Sequence, residues 1–355
     1  MLPDKNSRRI VDASLLRAIV EQFVSRPSHP VADIRQFEQL ALGLIDIVDA
    51  DKVATATRAL CFHPETPLSI FQRLLEKGGA CAELAYGFTP APSRSDLLET
   101  ARNGAASLAR AIATRADLDR EIVEALLCRS EREIVRALAG NRAAHLDLAA
   151  RRALSLAGRD DVILARMLLD RDDLDVDPEP LFLAATRLER MGIILDACRK
   201  AVAGDDLDQR AVSADFAQRL ESAAVRRDRG ALAALLAAAL DCRKERAETL
   251  LTDTHGEALA LALVALGFSP EAATRLFLCA DAAIAYDADR VRALAALVRS
   301  TPQRAAMRVV VAVTGAGKSE RAHPSRHGSR DNVSAPGWRH APMVAAPESK
   351  SERTA

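Results

Sequence analysis

Four segments of this chain repeat one phrase at a spacing of about 26 residues: Arg58-Ala59-Leu60-Cys61-Phe62, Leu84-Ala85-Tyr86-Gly87-Phe88, Arg110-Ala111-Ile112-Ala113-Thr114 and Arg136-Ala137-Leu138-Ala139-Gly140. The second position is always Ala, the third is large and apolar, and the fourth is small. Such a period belongs to repeat arrays, in which each unit buries its apolar face only against its neighbours. A fifth copy, Arg166-Met167-Leu168-Leu169, follows after a short insertion. Weaker apolar pairs (Ile70-Phe71, Ile122-Val123, Leu148-Ala149) follow three of the phrases and mark a second helix. The spacing therefore predicts two short helices per unit.

Composition agrees with that reading. Ala and Leu, the strongest helix formers, dominate the apolar residues, whereas aromatics are only 3%. Before the repeats, residues 7–25 and 34–48 carry apolar side chains at helical spacing, separated by Pro27 and Pro30. After them, the acidic, proline-bearing stretch 172–180 predicts a boundary. Helical periodicity then resumes to about Val313, with Ser269-Pro270 and Thr301-Pro302 expected as helix starts, as is Thr66-Pro67 within the repeats. Beyond Thr314 the chain is rich in Gly, Ser, Pro, Arg and His without apolar periodicity, a composition that predicts disorder. The expected organisation is an N-terminal helical cap (1–50), helical repeats (51–176), a C-terminal helical domain (177–313) and a tail (314–355). The predicted fold class is all-α: an α-solenoid of stacked two-helix repeats followed by a helical C-terminal domain.

The phrases RALCFHPETP and VRALAGNRAAHL, with the later HGEALALALVALGFSPEAATRLF, resemble an alphaproteobacterial family, the domain of unknown function 2336. The units are also similar to HEAT repeats and to the leucine-rich repeat variant. The resemblance covers about residues 10–313 and implies an α-solenoid. It implies no activity.

Lys plus Arg equals Asp plus Glu, 49 of each, so whole-chain attraction to nucleic acid or anionic lipid is not expected. No apolar run approaches the ~18 residues of a membrane span, and residues 1–10 lack the apolar core of a signal peptide, so the expected location is cytoplasmic. The six cysteines show no C-x-x-C spacing and read as small buried hydrophobes. No metal-ligand spacing, cofactor motif or catalytic arrangement is evident, so neither metal nor cofactor is expected. Ala312–Ser319 fits a relaxed phosphate-binding loop, but Glu320–Arg330 cannot form an apolar-faced helix after it and no parallel sheet precedes it. The simpler reading is a helix ending at Gly315.

Arg58, Arg110, Arg136 and Arg166 occupy one position in successive repeats. Stacked, they form a ladder with two opposite uses. Paired with acids such as Glu133 or Asp161, they brace the array; unpaired, they grip a partner's carboxylates or phosphates. The candidate binding residues are Arg110, Arg136, Asn141, Arg142 and Arg166. The function expected of such a surface is non-enzymatic: a scaffold or regulatory protein holding protein partners. The alternatives are a nucleic-acid-binding HEAT-like protein, which needs a basic groove, and a helical-repeat enzyme, which needs a polar pocket with converging ionisable groups.

Overall fold

In the computed structural model, which describes residues 5–129, 131–202, 212–280 and 282–316, every element is helical. The N-terminal pair is α1 (Lys5–Val24) and α2 (Val31–Ile47). Next come α3 (Ala50–Thr57), which tightens into a 3-10 turn at Arg58–Phe62, and α4 (Leu68–Lys77). The following pairs are α5 (Gly79–Phe88) with α6 (Arg94–Asn103), α7 (Ala106–Ala113) with α8 (Arg120–Arg129), and α9 (Arg132–Gly140) with α10 (Leu148–Gly158). In the last unit α11 (Val162–Leu169) is followed only by a 3-10 helix, Glu179–Ala184. Pro178 caps that short helix and Pro180 sits in its first turn, where a missing backbone N–H costs no hydrogen bond.

Three of the second helices begin at side-chain caps. Ser93 and Asp96 form a reciprocal capping box at α6. Asp119 accepts from the Ile122 amide at 2.9 Å before α8, and Asp147 from Ala150 at 2.7 Å before α10. The phrase helices form one layer, in which α1, α3, α5, α7, α9 and α11 each pack on the next. In the other layer α2 packs on α4, and α6, α8, α10 and the 3-10 helix Glu179–Ala184 follow in series. This is an all-α helical-repeat fold.

The C-terminal helices are α12 (Arg187–Val202), α13 (Ala214–Val225), α14 (Arg229–Leu240), α15 (Lys244–Thr252), α16 (Glu257–Ala265), α17 (Pro270–Ala280), α18 (Ala282–Ala285), α19 (Ala288–Ser300) and α20 (Gln303–Thr314). Helices α15, α17, α19 and α20 pack on α16, which is buried on all sides from Ala258 to Ala265 and so reads as apolar throughout. Helix α20 packs on α16 and returns to α12 and the 3-10 helix Glu179–Ala184, where the repeats end. Three core clusters result: Leu16 to Ala85, Leu97 to Leu181 and Phe182 to Val313. Leu169 packs against both of the last two.

Three expectations need correction. Thr66 does not cap α4: the helix starts at Leu68 with Pro67 in the cap position, and the Thr66 hydroxyl donates to the Leu60 carbonyl at 2.8 Å. Pro302 likewise precedes α20 rather than opening it, whereas Ser269 accepts from the Ala272 amide at the start of α17 as expected. The cysteines are not uniformly buried: Cys81 is, Cys128 is exposed and the other four lie between. Helix α20 ends at Thr314 with Gly315 in the left-handed region (φ 70°), its amide donating to Val311 O at 2.8 Å. The remainder of the phosphate-loop-like segment and the tail expected to be disordered lie outside the described residues, from residue 317 onward.

Candidate binding groove

The arginine ladder divides into a braced half and an open half. Arg136 is clamped to Asp161 through two hydrogen bonds of 2.7 and 2.8 Å. Asp161 is buried, caps α11 by accepting from the Ile163 and Leu164 amides, and sits below the usual carboxylate range because of the Arg136 guanidinium. Arg166 makes the same two-pronged contact with Glu189, both at 2.7 Å, and also reaches Asp170. That contact pulls the Glu189 carboxyl down to about 2. Arg110 is exposed and has no ion pair among the described residues. Arg58, also without one there, lays its guanidinium 5.1 Å from the centre of the Phe88 ring.

The residue that opens the next repeat explains the division. Asp161 stands five residues before Arg166 and braces the preceding arginine. The same place before the fourth phrase holds Glu131, which Arg129 already occupies at 2.7 Å, so Arg110 is left over. Before the second phrase it holds Gly79, which has no side chain to offer Arg58.

Sequence reasoning missed a second ladder at the sixth position of the phrase. Arg115 donates to the Tyr86 and Thr89 carbonyls, Asn141 to Ala113 O and Arg115 O, and Arg171 to Ala139 O and Asn141 O, over 2.6 to 3.0 Å. Each satisfies carbonyls at the C-terminal end of the previous phrase helix, which have no partner within that helix. Asp117 and Asp173 hold the two arginines in place at 2.7 Å. The available signal was the R-x-D spacing at Arg115 and Arg171. Asn141 is thus part of the scaffold, and Arg142 donates to Asp170 O at 3.2 Å from an exposed position.

Across the phrase layer runs a groove of about 660 Å³, walled by α3, α5, α7 and α9. Arg58, Glu83, Leu84, Phe88, Arg110 and Thr114 are among its lining residues. Of the five sequence-predicted site residues only Arg110 faces this groove; Arg58, Glu83 and Phe88 were not among them. A second cleft, about 650 Å³, lies between α12 and α19. Ile194, Leu294 and Leu297 make it apolar, and its polar residues are mostly engaged elsewhere. Glu257 accepts from Arg190, Asp287 caps α19, and Arg290 donates to the Thr254 carbonyl. Among the described residues no cluster of three or more His, Cys, Asp or Glu side chains has the arrangement of a metal site. No described helix is long and apolar enough to cross a membrane.

Fold and groove define the chain as an all-α helical-repeat protein. Comparison with protein-family models, with curated proteins and with solved structures returns no match to it.

Proposed function

We propose that this chain is a non-catalytic scaffold or regulatory protein of the cytoplasm, which binds a segment of another protein in the groove across its phrase layer. We further propose membership of the domain of unknown function 2336 family on the strength of the repeat phrases. The observation that carries the binding reading is the split in the arginine ladder. Two guanidinium groups of the kind that brace the fold elsewhere in the array make no ion pair here among the described residues, and lie in one groove with the half-buried Phe88. Arginine and aromatic side chains dominate the energetics of protein recognition, and a groove shared by four helices offers a continuous contact surface. Glu83 and Asp51 in the same groove weigh against a nucleic-acid backbone, which asks for an unbroken basic track.

The test is quantitative co-purification from the native cell with three forms: the parent, Arg58→Ala/Arg110→Ala, and Arg136→Ala. The double variant is expected to melt with the parent and lose its partner. Arg136→Ala is expected to melt lower and to retain the partner at temperatures where it is folded. A double variant that keeps every partner of the parent overturns the assignment of the groove.

A further inference from the structure

Charges in the groove alternate along the array. Arg58 closes the first repeat's phrase helix, Glu83 lies on α5 one residue before the matching position, and Arg110 occupies that position on α7. From α3 to α7 successive repeats thus present a cation, an anion and a cation to the groove, the anion flanking the buried Leu84 that holds the row position itself. All three line the same cavity, and among the described residues none is paired with another or with any other residue through an ion pair. Asp51, the other acid there, stands seven residues before Arg58 and outside the row. Beyond Arg110 the row is closed, because Arg136 is neutralised by Asp161.

Packed helices lie about 8–10 Å apart, and an extended chain advances about 3.3 Å per residue. One repeat of the groove therefore corresponds to about three residues of an extended segment laid across the helices. Half-buried Phe88 lies beside the row and supplies apolar contact, over a floor that includes the buried Leu84. Resting on the groove reading above, we propose that the occupant is an extended protein segment bearing carboxylate, cation and carboxylate at every third residue, with an apolar side chain against Phe88. The recognition is a charge register. It rewards one pattern of charges and, through like-charge contacts, rejects the sign-inverted pattern.

The experiment uses the full chain and two fluorescein-labelled nonapeptides measured by anisotropy. One is Phe-Glu-Gly-Ser-Lys-Gly-Ser-Glu-Leu, and the other is Phe-Lys-Gly-Ser-Glu-Gly-Ser-Lys-Leu. The parent is expected to bind the first about tenfold more tightly, with the preference shrinking as salt rises. The variant Arg58→Glu/Glu83→Lys/Arg110→Glu, whose altered side chains are exposed or half-buried, is expected to reverse the preference. Arg110→Glu alone, checked for fold by circular dichroism, is expected to erase most of it and covers the case of a triple variant that does not fold. Equal binding of both peptides that Phe88→Asp abolishes overturns the register and leaves the groove standing. Failure of both peptides to bind the parent at millimolar concentration also overturns the register, and the co-purification then judges the groove by itself.

Discussion

Arg136 and Arg110 hold the same place in successive repeats, and their fates differ through side chains many residues away. With Arg136 removed, Asp161 keeps the Ile163 and Leu164 amides but loses both guanidinium contacts while staying buried. Arg136→Ala is expected to lower the melting temperature by a few °C, about the shift of a single lost interaction, and Arg110→Ala to leave it unchanged. Equal melts for the two defeat the bracing assignment. Acid exerts the same discrimination. Glu189 is pulled to about 2 by Arg166, and Asp117, Asp161 and Asp173 are lowered by Arg115, Arg136 and Arg171. A depressed carboxyl contributes stability that is complete above its unfolded value near 4 and vanishes as pH falls through its folded value. The melting temperature is therefore expected to drop between about pH 4 and pH 2, less steeply in Arg166→Ala, as thermal melts across that window will report. The position of the arginines was legible in the sequence because a period places like residues alike. Their pairing was not, because Glu131 has a rival in Arg129 and Gly79 replaces an acid, and neither competition shows in a one-dimensional pattern.

Helices were the most legible level, since Ala/Leu periodicity and Asp or Ser caps act within a few residues. Their ends were less so. Pro67 and Pro302 look like first helical residues, yet each stands outside its helix with an extended ψ of 136° and 141°. How closely two elements approach depends on residues whose significance is steric. Gly158 closes α10 where the 3-10 helix Glu179–Ala184 crosses: a Cβ there would lie 2.6 Å from Leu181 Cδ2 and 3.3 Å from Leu168 Cδ1, both buried side chains. Gly158→Ala is thus expected to cost about 1–3 kcal/mol through overpacking, although alanine favours helix. Chemical denaturation of the single variant measures this, and an alanine variant as stable as the parent refutes the close fit.

At the scale of the molecule, the repeats and the C-terminal helices are joined by a buried charge cluster centred on Arg190, whose side chain is 2% exposed. It donates to the Leu183 and Ala185 carbonyls at the end of the repeat array, and to Asp253 and Glu257 at the start of α16, at 3.0 to 3.1 Å. Phe182 lies 4.9 Å beneath the guanidinium. A linear array transmits stability only between neighbours, so such a joint decides whether the two parts unfold together. The isolated cation does not stabilise by virtue of its burial, since desolvation offsets most of the Coulomb gain; what matters is that two carboxylates depend on it. Arg190→Met fills the space but leaves Asp253 and Glu257 facing each other without their cation, and is expected to cost about 3–5 kcal/mol. Adding Asp253→Asn and Glu257→Gln removes the orphaned charges, and should recover part of that loss, the amide introduced at position 253 still lacking a guanidinium to pair with. The single variant should also separate two transitions in urea: amides of residues 97–181 and of 220–313 exchange together in the parent and at different denaturant concentrations in Arg190→Met. A methionine variant with one transition at the parent's midpoint shows that packing through Leu169 and α20 suffices to join the two parts, and that the charge cluster is not the joint.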